Sequence, residues 1–313
     1  MFDRSHTIIA LAGPTASGKT KFAIMLALAF DGEIVSCDSM QLYKYMNIGS
    51  AKPTADEMSM AKHHLVDIID PAVDFSVAQY RDLAKEAIRD IFSRGKTPIV
   101  CGGTGLYLNS LLYDMDFSSV PEDHSYREEL MEIAHRQGPE ALHEMLRKSD
   151  PSAAEGIHPN NIVKIVRALE RLREGEGSIR QFKDISRPTE DYDVILLGLT
   201  RDRAELYDRI NRRVDILISE GLEDEVRSLT DMGLSAKNIS MKGIGYKEMI
   251  DYIDGRCTLM ESIENIKKNT RHYAKKQLTW FRRYDKMRWY NVSDYNSDEA
   301  AFEDMKTWLL EKK

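Results

Sequence analysis

The stretch Gly13-Pro14-Thr15-Ala16-Ser17-Gly18-Lys19-Thr20 follows a short apolar run, Thr7-Ile8-Ile9-Ala10-Leu11, and precedes a helix-like one, Phe22 to Phe30. Strand before and helix after is the context in which G-x-x-x-x-G-K-[ST] carries chemical meaning. The glycines let the backbone turn tightly so that successive N–H groups point inward, and the helix starting near Gly18 adds its positive end. Lys19 is then placed to reach an outer phosphate, and the Thr20 hydroxyl to ligate Mg²⁺. The stretch predicts an α/β chain that binds a polyphosphate.

With 313 residues and 42% hydrophobic composition, the chain has room for one large α/β domain and a smaller one. A formal net charge of −7 argues against a protein that coats nucleic acid non-specifically. Cys37, Cys101 and Cys257 lie far apart with no C-x-x-C pair, so neither a cysteine-rich zinc site nor a disulfide framework is expected. They read as buried thiols of a reducing compartment. The first residues lack the form of a secretory signal, and no apolar run approaches the ~20 residues of a membrane helix. A soluble, cytoplasmic protein without membrane contact is expected.

Working outward from the phosphate loop, Glu33 to Ser39 reads as a buried strand ending in Asp38. An acid there lies at the ligand-facing edge of an open sheet, although an Asp-Ser pair also serves as a helix cap. Met40 to Thr54 is polar and aromatic without a period, the mark of a functional loop. His63 to Pro71 predicts a short strand stopped by proline. Its adjacent histidines point to opposite faces and do not form a metal pair alone. An amphipathic helix from about Phe75 through Phe92 leads to a strand, Thr97 to Cys101, and then to a second glycine-rich turn, Gly102-Gly103-Thr104-Gly105. Glycines stand where an ATPase would place an Mg²⁺-binding acid, which counts against ATP hydrolysis.

Composition changes between Asp114 and Pro121, and helices then follow one another, Tyr126 to Gln137, Glu140 to Lys148, and Asn161 to Arg173 before Gly175 and Gly177. Lys164, Arg167 and Arg171 form a stripe on the third. Phosphate binding is one reading of it, and a solvated face paired with Glu170 and Glu174 is the other. The strand signal resumes at Asp193 to Leu199, so residues 119–192 read as a helical insertion into a core of residues 1–118 and 193–313. Asp202 reads as the cap of a helix with Leu206, Ile210, Val214 and Leu217 inward, closed by Gly221. A last long helix, Thr258 to about Tyr284, places Leu259, Ile263, Ile266, Tyr273, Leu278 and Phe281 near one face. From Lys267 to Arg288 it carries nine basic residues against the single acid Asp285, with Tyr273, Trp280 and Trp289 interleaved. Nucleic acid is the natural partner for such a block in an acidic chain.

Eight blocks, in order, resemble the tRNA dimethylallyltransferases, or isopentenyl-tRNA transferases. They are Gly13 to Thr20, Asp38-Ser39-Met40-Gln41-Leu42-Tyr43, Gly49 to Pro53, His63 to Asp67, Gly102 to Tyr107, Arg209 to Val214, Ile244 to Glu248, and Gln277 to Phe281. The resemblance implies a P-loop NTPase-like core, a parallel sheet flanked by helices, carrying a small all-helical insertion. It implies transfer of a dimethylallyl group from dimethylallyl diphosphate to the exocyclic amine of the adenosine 3′ of a tRNA anticodon. In family terms Asp38 takes the proton from the amine, Thr104 orients amine or diphosphate, and Arg213 with Arg209 neutralises the departing charge. Gly13, Pro14, Thr15, Ala16, Ser17, Gly18, Lys19 and Thr20 hold the diphosphate, with Mg²⁺ on Thr20. The anticodon stem-loop is met by Asp38, Ser39, Met40, Gln41 and Thr104, by Arg127, Val163, Lys164, Ile165, Val166 and Arg167, and by Lys242, Gly243, Ile244, Gly245, Tyr246 and Lys247.

The sequence departs from the family's pattern at Asn47, commonly Asp, at Ser50, commonly Thr, and at Lys242, commonly Gln. The first weakens a metal role for position 47. The zinc-finger extension of eukaryotic relatives is absent, which implies the bacterial form, and a monomer is expected. A small-molecule or nucleotide kinase using ATP shares the phosphate loop but leaves the basic C-terminal helix unexplained. A free-nucleotide isopentenyltransferase needs neither insertion nor basic helix, and a non-catalytic RNA-binding module needs neither Lys19 nor Asp38.

Overall fold

The computed structural model describes residues 2–115, 124–173 and 187–312. The composition change read between Asp114 and Pro121 runs into residues outside that set, and Glu174, Gly175 and Gly177 lie outside it. Six strands, β1 Thr7–Ala12, β2 Gly32–Ser36, β3 His63–His64, β4 Thr97–Gly102, β5 Asp193–Thr200 and β6 Arg288–Asn291, form one sheet in the order β3-β2-β4-β1-β5-β6. Every neighbouring pair is parallel. Parallel strands put all their C-terminal ends on one edge, and in an open α/β sheet that edge faces the ligand. Gly13, Asp38, Gly103 and Arg201 all lie just beyond strand ends on it.

The central strand β1 is buried at every residue, as an apolar run with helices on both sides requires. Helix α1, Lys19–Ala29, buries Phe22, Ala23, Ile24, Leu26 and Ala27 against Ile9, Leu11, Ile99, Leu197 and Leu199. Each such Leu or Ile contributes about 1.5–3 kcal/mol. Phe302, Met305 and Leu309 of the C-terminal helix, Asp298–Glu311, complete this core.

Several boundaries move. The strand expected from His63 to Pro71 pairs only at His63 and His64, because Leu65 and Asp67 adopt left-handed φ of 61° and 57°, which ends a ladder. His63 Nδ1 meets the Ala61 carbonyl and His64 Nε2 the Glu33 carboxylate, so each has a structural partner. Asp202 precedes the helix Arg203–Ser219 but does not cap it, since its carboxylate accepts from Asn291 Nδ2 at 3.0 Å. The last long helix runs Leu259–Phe281, started by a reciprocal Thr258–Glu261 capping box. Its inward stripe is Ser262, Ile266, Ala274, Gln277 and Phe281, while Tyr273, expected inward, is exposed. Trp289 sits in β6 and packs against Gly198.

The chain divides into two compact units, residues 1–112 with 189–313, and residues 113–188. Described residues of the second form helices His124–Gln137, Pro139–Ser149, Pro151–Gly156 and Ile162–Arg173 around Leu130, Leu142, Leu146, Ile165 and Leu169.

Candidate active site

In the loop between β1 and α1, Ala16 at φ 62° and Gly18 at φ 102° alternate with neighbours outside the positive-φ region and turn the backbone into a cup. Gly13 is obligatory for a different reason, since a Cβ there would lie 2.4 Å from the Leu199 carbonyl oxygen. Three of the loop's carbonyls accept from cationic side chains. Arg209 Nε donates to Ala16 O at 2.9 Å, Arg201 Nε to Ser17 O at 3.1 Å, and Lys19 Nζ to Pro14 O at 2.7 Å. The Thr15 N–H donates to Gln277 Oε1 at 2.9 Å, and Gln277 Nε2 donates to Gly103 O at 2.9 Å, so one buried amide ties both glycine-rich turns together. Ser17 Oγ is buried with no hydrogen-bond partner among the described residues.

The electrostatics of this cup are unbalanced. Burial lowers the Lys19 ammonium to about 8, with Arg213 adding to the shift and Cys101 and Asp38 opposing it. Burial likewise lowers Arg209 and Arg213, and the charge of Asp38 opposes the shift at Arg213. Arg213 Nη2 donates to Ala51 O at 3.3 Å. Among the described residues none of these three cations forms an ion pair. Desolvated cations satisfied only by carbonyls gain strongly from an anion placed among them.

Beside the cup, Asp38 Oδ1 accepts from the Met40 N–H at 2.9 Å, a turn contact and not a helix cap. Thr104 Oγ1 accepts from Ser39 N at 3.0 Å and lies 3.3 Å from Ser39 Oγ. Gln41 Oε1 accepts from Ser36 Oγ at 3.0 Å, and its Nε2 shares Ala51 O with Arg213. Ser39 and Met40 are half-buried in the same turn. The neighbouring Cys37 and Cys101 thiols are pushed up to about 12 by burial, which leaves them protonated and inert.

The loop beyond Gln41 is anchored by a residue that local sequence reading misses. Glu225, on the helix Leu222–Asp231, accepts the N–H groups of Asn47 and Ile48 at 2.7 Å and of Gly49 at 3.0 Å, and the Tyr246 hydroxyl at 2.8 Å. Asn47 Oδ1 accepts from Lys52 Nζ at 2.9 Å. Nothing local to Glu225 announces this. Gln277 did leave a signal, a polar residue at an inward position between Ala274 and Phe281.

The residues expected to meet RNA divide by exposure. Lys242 and Lys247 are exposed, while Gly243 and Ile244 are half-buried. Gly243 lies against Met40, where a Cβ would come 2.6 Å from Met40 Cε. Gly245, at φ 99°, starts the helix Tyr246–Ile253. The Tyr246 ring is fully buried and its hydroxyl committed to Glu225, so its side chain is not free for a ligand. Within the second unit Val163, Lys164 and Arg167 are exposed, while the side chains of Ile165 and Val166 face that unit's core. Arg127 pairs with Glu170 there at 2.9 and 3.0 Å. On the long basic helix Lys268, Lys275 and Lys276 are exposed, whereas Lys267 pairs with Asp215 and Arg271 donates to Asn211. Trp280 lies against Gly105 with Arg283 over its ring at 5.1 Å.

A parallel sheet, a glycine-rich cup at the start of α1 and a cluster of half-buried cations with no ion pair among the described residues define a P-loop-like α/β protein. Residues 41–284 match the family described as IPP transferase, and the chain belongs to that family. It is 48% identical over 296 residues to a tRNA dimethylallyltransferase of Alkaliphilus oremlandii, covering 95% of each chain. The crystal structure of a tRNA isopentenylpyrophosphate transferase from Bacillus halodurans superposes with TM-score 0.73 at 43% identity, over 97% of this chain and 96% of that one. A eukaryotic dimethylallyltransferase, solved acting on tRNA, gives TM-score 0.82 at 26% identity, over 98% and 80%.

Proposed function

We propose that the protein is a tRNA dimethylallyltransferase that moves the dimethylallyl group from its diphosphate to the exocyclic amine of the adenosine 3′ of the anticodon. The observation that carries this reading is the set of half-buried cations, Lys19, Arg209 and Arg213, which form no ion pair among the described residues and lie around the phosphate cup with Asp38 on the same edge. As the amine nitrogen bonds to the allylic carbon, the carbon–oxygen bond to diphosphate breaks. The proton leaving nitrogen passes to Asp38, and the departing charge is met by Lys19, the Arg pair and the loop amides. Thr104, fixed through Ser39, orients the incoming base, which leaves its stack to enter the site.

The donor chemistry beside the cup is compatible with Mg²⁺, since Thr20, half-buried in the first turn of the helix, offers a hydroxyl oxygen. Thr20 would hold the ion, which when bound adds positive charge against the diphosphate. The ATP-kinase reading is less favoured because β4 ends in Gly102 and Gly103, with no acid for the metal. Lys242, Lys247, Lys164, Arg167 and the exposed lysines of Leu259–Phe281 would carry the RNA backbone. The test is incubation of the protein with radiolabelled dimethylallyl diphosphate, Mg²⁺ and unmodified tRNA. Label is expected in tRNA at the adenosine 3′ of the anticodon, and γ-phosphate transfer from ATP without tRNA labelling would overturn the reading.

A further inference from the structure

Arg201 follows β5 directly, and its side chain is only 6% exposed, an uncommon place for a guanidinium. Each of its three nitrogens donates a hydrogen bond in a different direction. Nε donates to Ser17 O at 3.1 Å, Nη1 to Glu205 Oε1 at 2.7 Å and Nη2 to Asp298 Oδ1 at 2.6 Å. Glu205 is braced in turn by Ser293 Oγ at 2.5 Å, and Ser293 Oγ accepts from Asp202 N at 2.9 Å. Asp298 opens the C-terminal helix, whose cap is Ser297, and that segment lies beyond the residues that match the family. Two carboxylates therefore hold one arginine against one carbonyl of the phosphate loop.

The consequence follows from peptide geometry. A trans peptide directs its C=O and its N–H to opposite sides. Fixing the Ser17 carbonyl toward Arg201 turns the next amide, the N–H of Gly18, to the inner side of the loop, where phosphate oxygens are bound. Gly18, at φ 102°, has no side chain to fix its own orientation, and a Cβ there would lie 3.5 Å from Arg201 Nη2. The clamp thus supplies what the glycine lacks.

We propose that Arg201, held by Asp298 and Glu205, is a positioning residue that aims the Gly18 amide at the diphosphate, so that the C-terminal helix sets the affinity of the phosphate loop. This deepens the diphosphate reading of the site and rests on it.

The probe is inorganic pyrophosphate with Mg²⁺, titrated calorimetrically into the full chain. Arg201→Met should weaken binding on the order of tenfold, the scale of one charge-assisted hydrogen bond, and Arg201→Lys should recover part of it. Asp298→Asn keeps the shape and the Ser297 cap and should weaken binding by a smaller factor. Lys21→Ala removes ion pairs to Asp298 and Glu299 without touching the three Arg201 contacts, and should bind as wild type does. In turnover, kcat/KM for dimethylallyl diphosphate should fall in step with pyrophosphate affinity while KM for tRNA stays at the wild-type value, a split that general loosening of the fold would not give. If Arg201→Met fails to fold, Asp298→Asn together with the Gly18 amide proton shift on pyrophosphate addition carries the test. Wild-type affinity and an unchanged Gly18 shift in Asp298→Asn and folded Arg201 variants overturn the clamp alone. No pyrophosphate binding by the wild type overturns the diphosphate reading and the clamp with it.

Discussion

At the scale of single residues, the roles proposed for Asp38 and Lys19 each make a separable prediction. Asp38→Ala should lose about 10²–10⁴-fold in single-turnover rate while tRNA affinity changes little, because a general base acts in the transition state. Near-wild-type turnover would leave Asp38 with only its bond to the Met40 amide. Lys19 predicts a pH effect. Its ammonium is lowered to about 8, so in the free protein it is charged below that pH and neutral above it. Pyrophosphate favours the charged form, so affinity should fall as pH rises through about 8, with proton uptake on binding. Lys19→Arg should remove that inflection and leave only the ligand's own titration. An identical pH profile in the two proteins would take Lys19 away from the anion. These residues were legible because their motif is contiguous. Glu225 and Arg201 were not, since their loop partners lie 178 and 184 residues away and only folding brings them together.

Elements were legible where local chemistry decides them. Ser76 and Thr258 each start a helix by a reciprocal capping box, and both signals are local. The inward face of Leu259–Phe281 was harder, because Ala274 and Gln277 are chosen for close approach and hydrogen bonding, not for apolar bulk. The basic block on that helix also divides once partners are known. Lys267 and Arg271 brace Asp215 and Asn211, while Lys268, Lys275 and Lys276 are exposed. Each phosphate neutralised contributes about −0.7 to the slope of log affinity against log salt for single-stranded regions, and about −0.9 for duplex. Replacing those three lysines by Gln should therefore flatten the slope for tRNA and leave pyrophosphate affinity unchanged. Equal slopes in titrations across several salt concentrations would make the block a solvated face.

For the whole molecule, the existence of a parallel sheet could be read from apolar runs, but its order could not. Strand β4 lies between β2 and β1 because of pairings such as Ile9 with Ile99 and Ile34 with Ile99, which no local pattern encodes. The helical stretch between the two strand-bearing parts was visible as a loss of strand signal. The compact unit spans 113–188, and its ends meet: Asp114 N donates to Arg187 O at 2.9 Å, and Thr189 N donates to Leu112 O at 3.0 Å. A chain whose ends meet at its base, and which has its own core, can be removed with little strain on the rest. Replacing residues 113–188 by a short glycine-serine linker should therefore leave the sheet and the phosphate cup intact. Pyrophosphate affinity should match that of the full chain. Affinity for tRNA should fall, on the order of tenfold or more, as the phosphate contacts of Lys164 and Arg167 are lost. The two titrations, run beside a thermal unfolding curve, separate the possibilities. A folded, pyrophosphate-binding variant with undiminished tRNA affinity would place RNA recognition entirely in the α/β unit, on Lys242, Lys247 and the long basic helix.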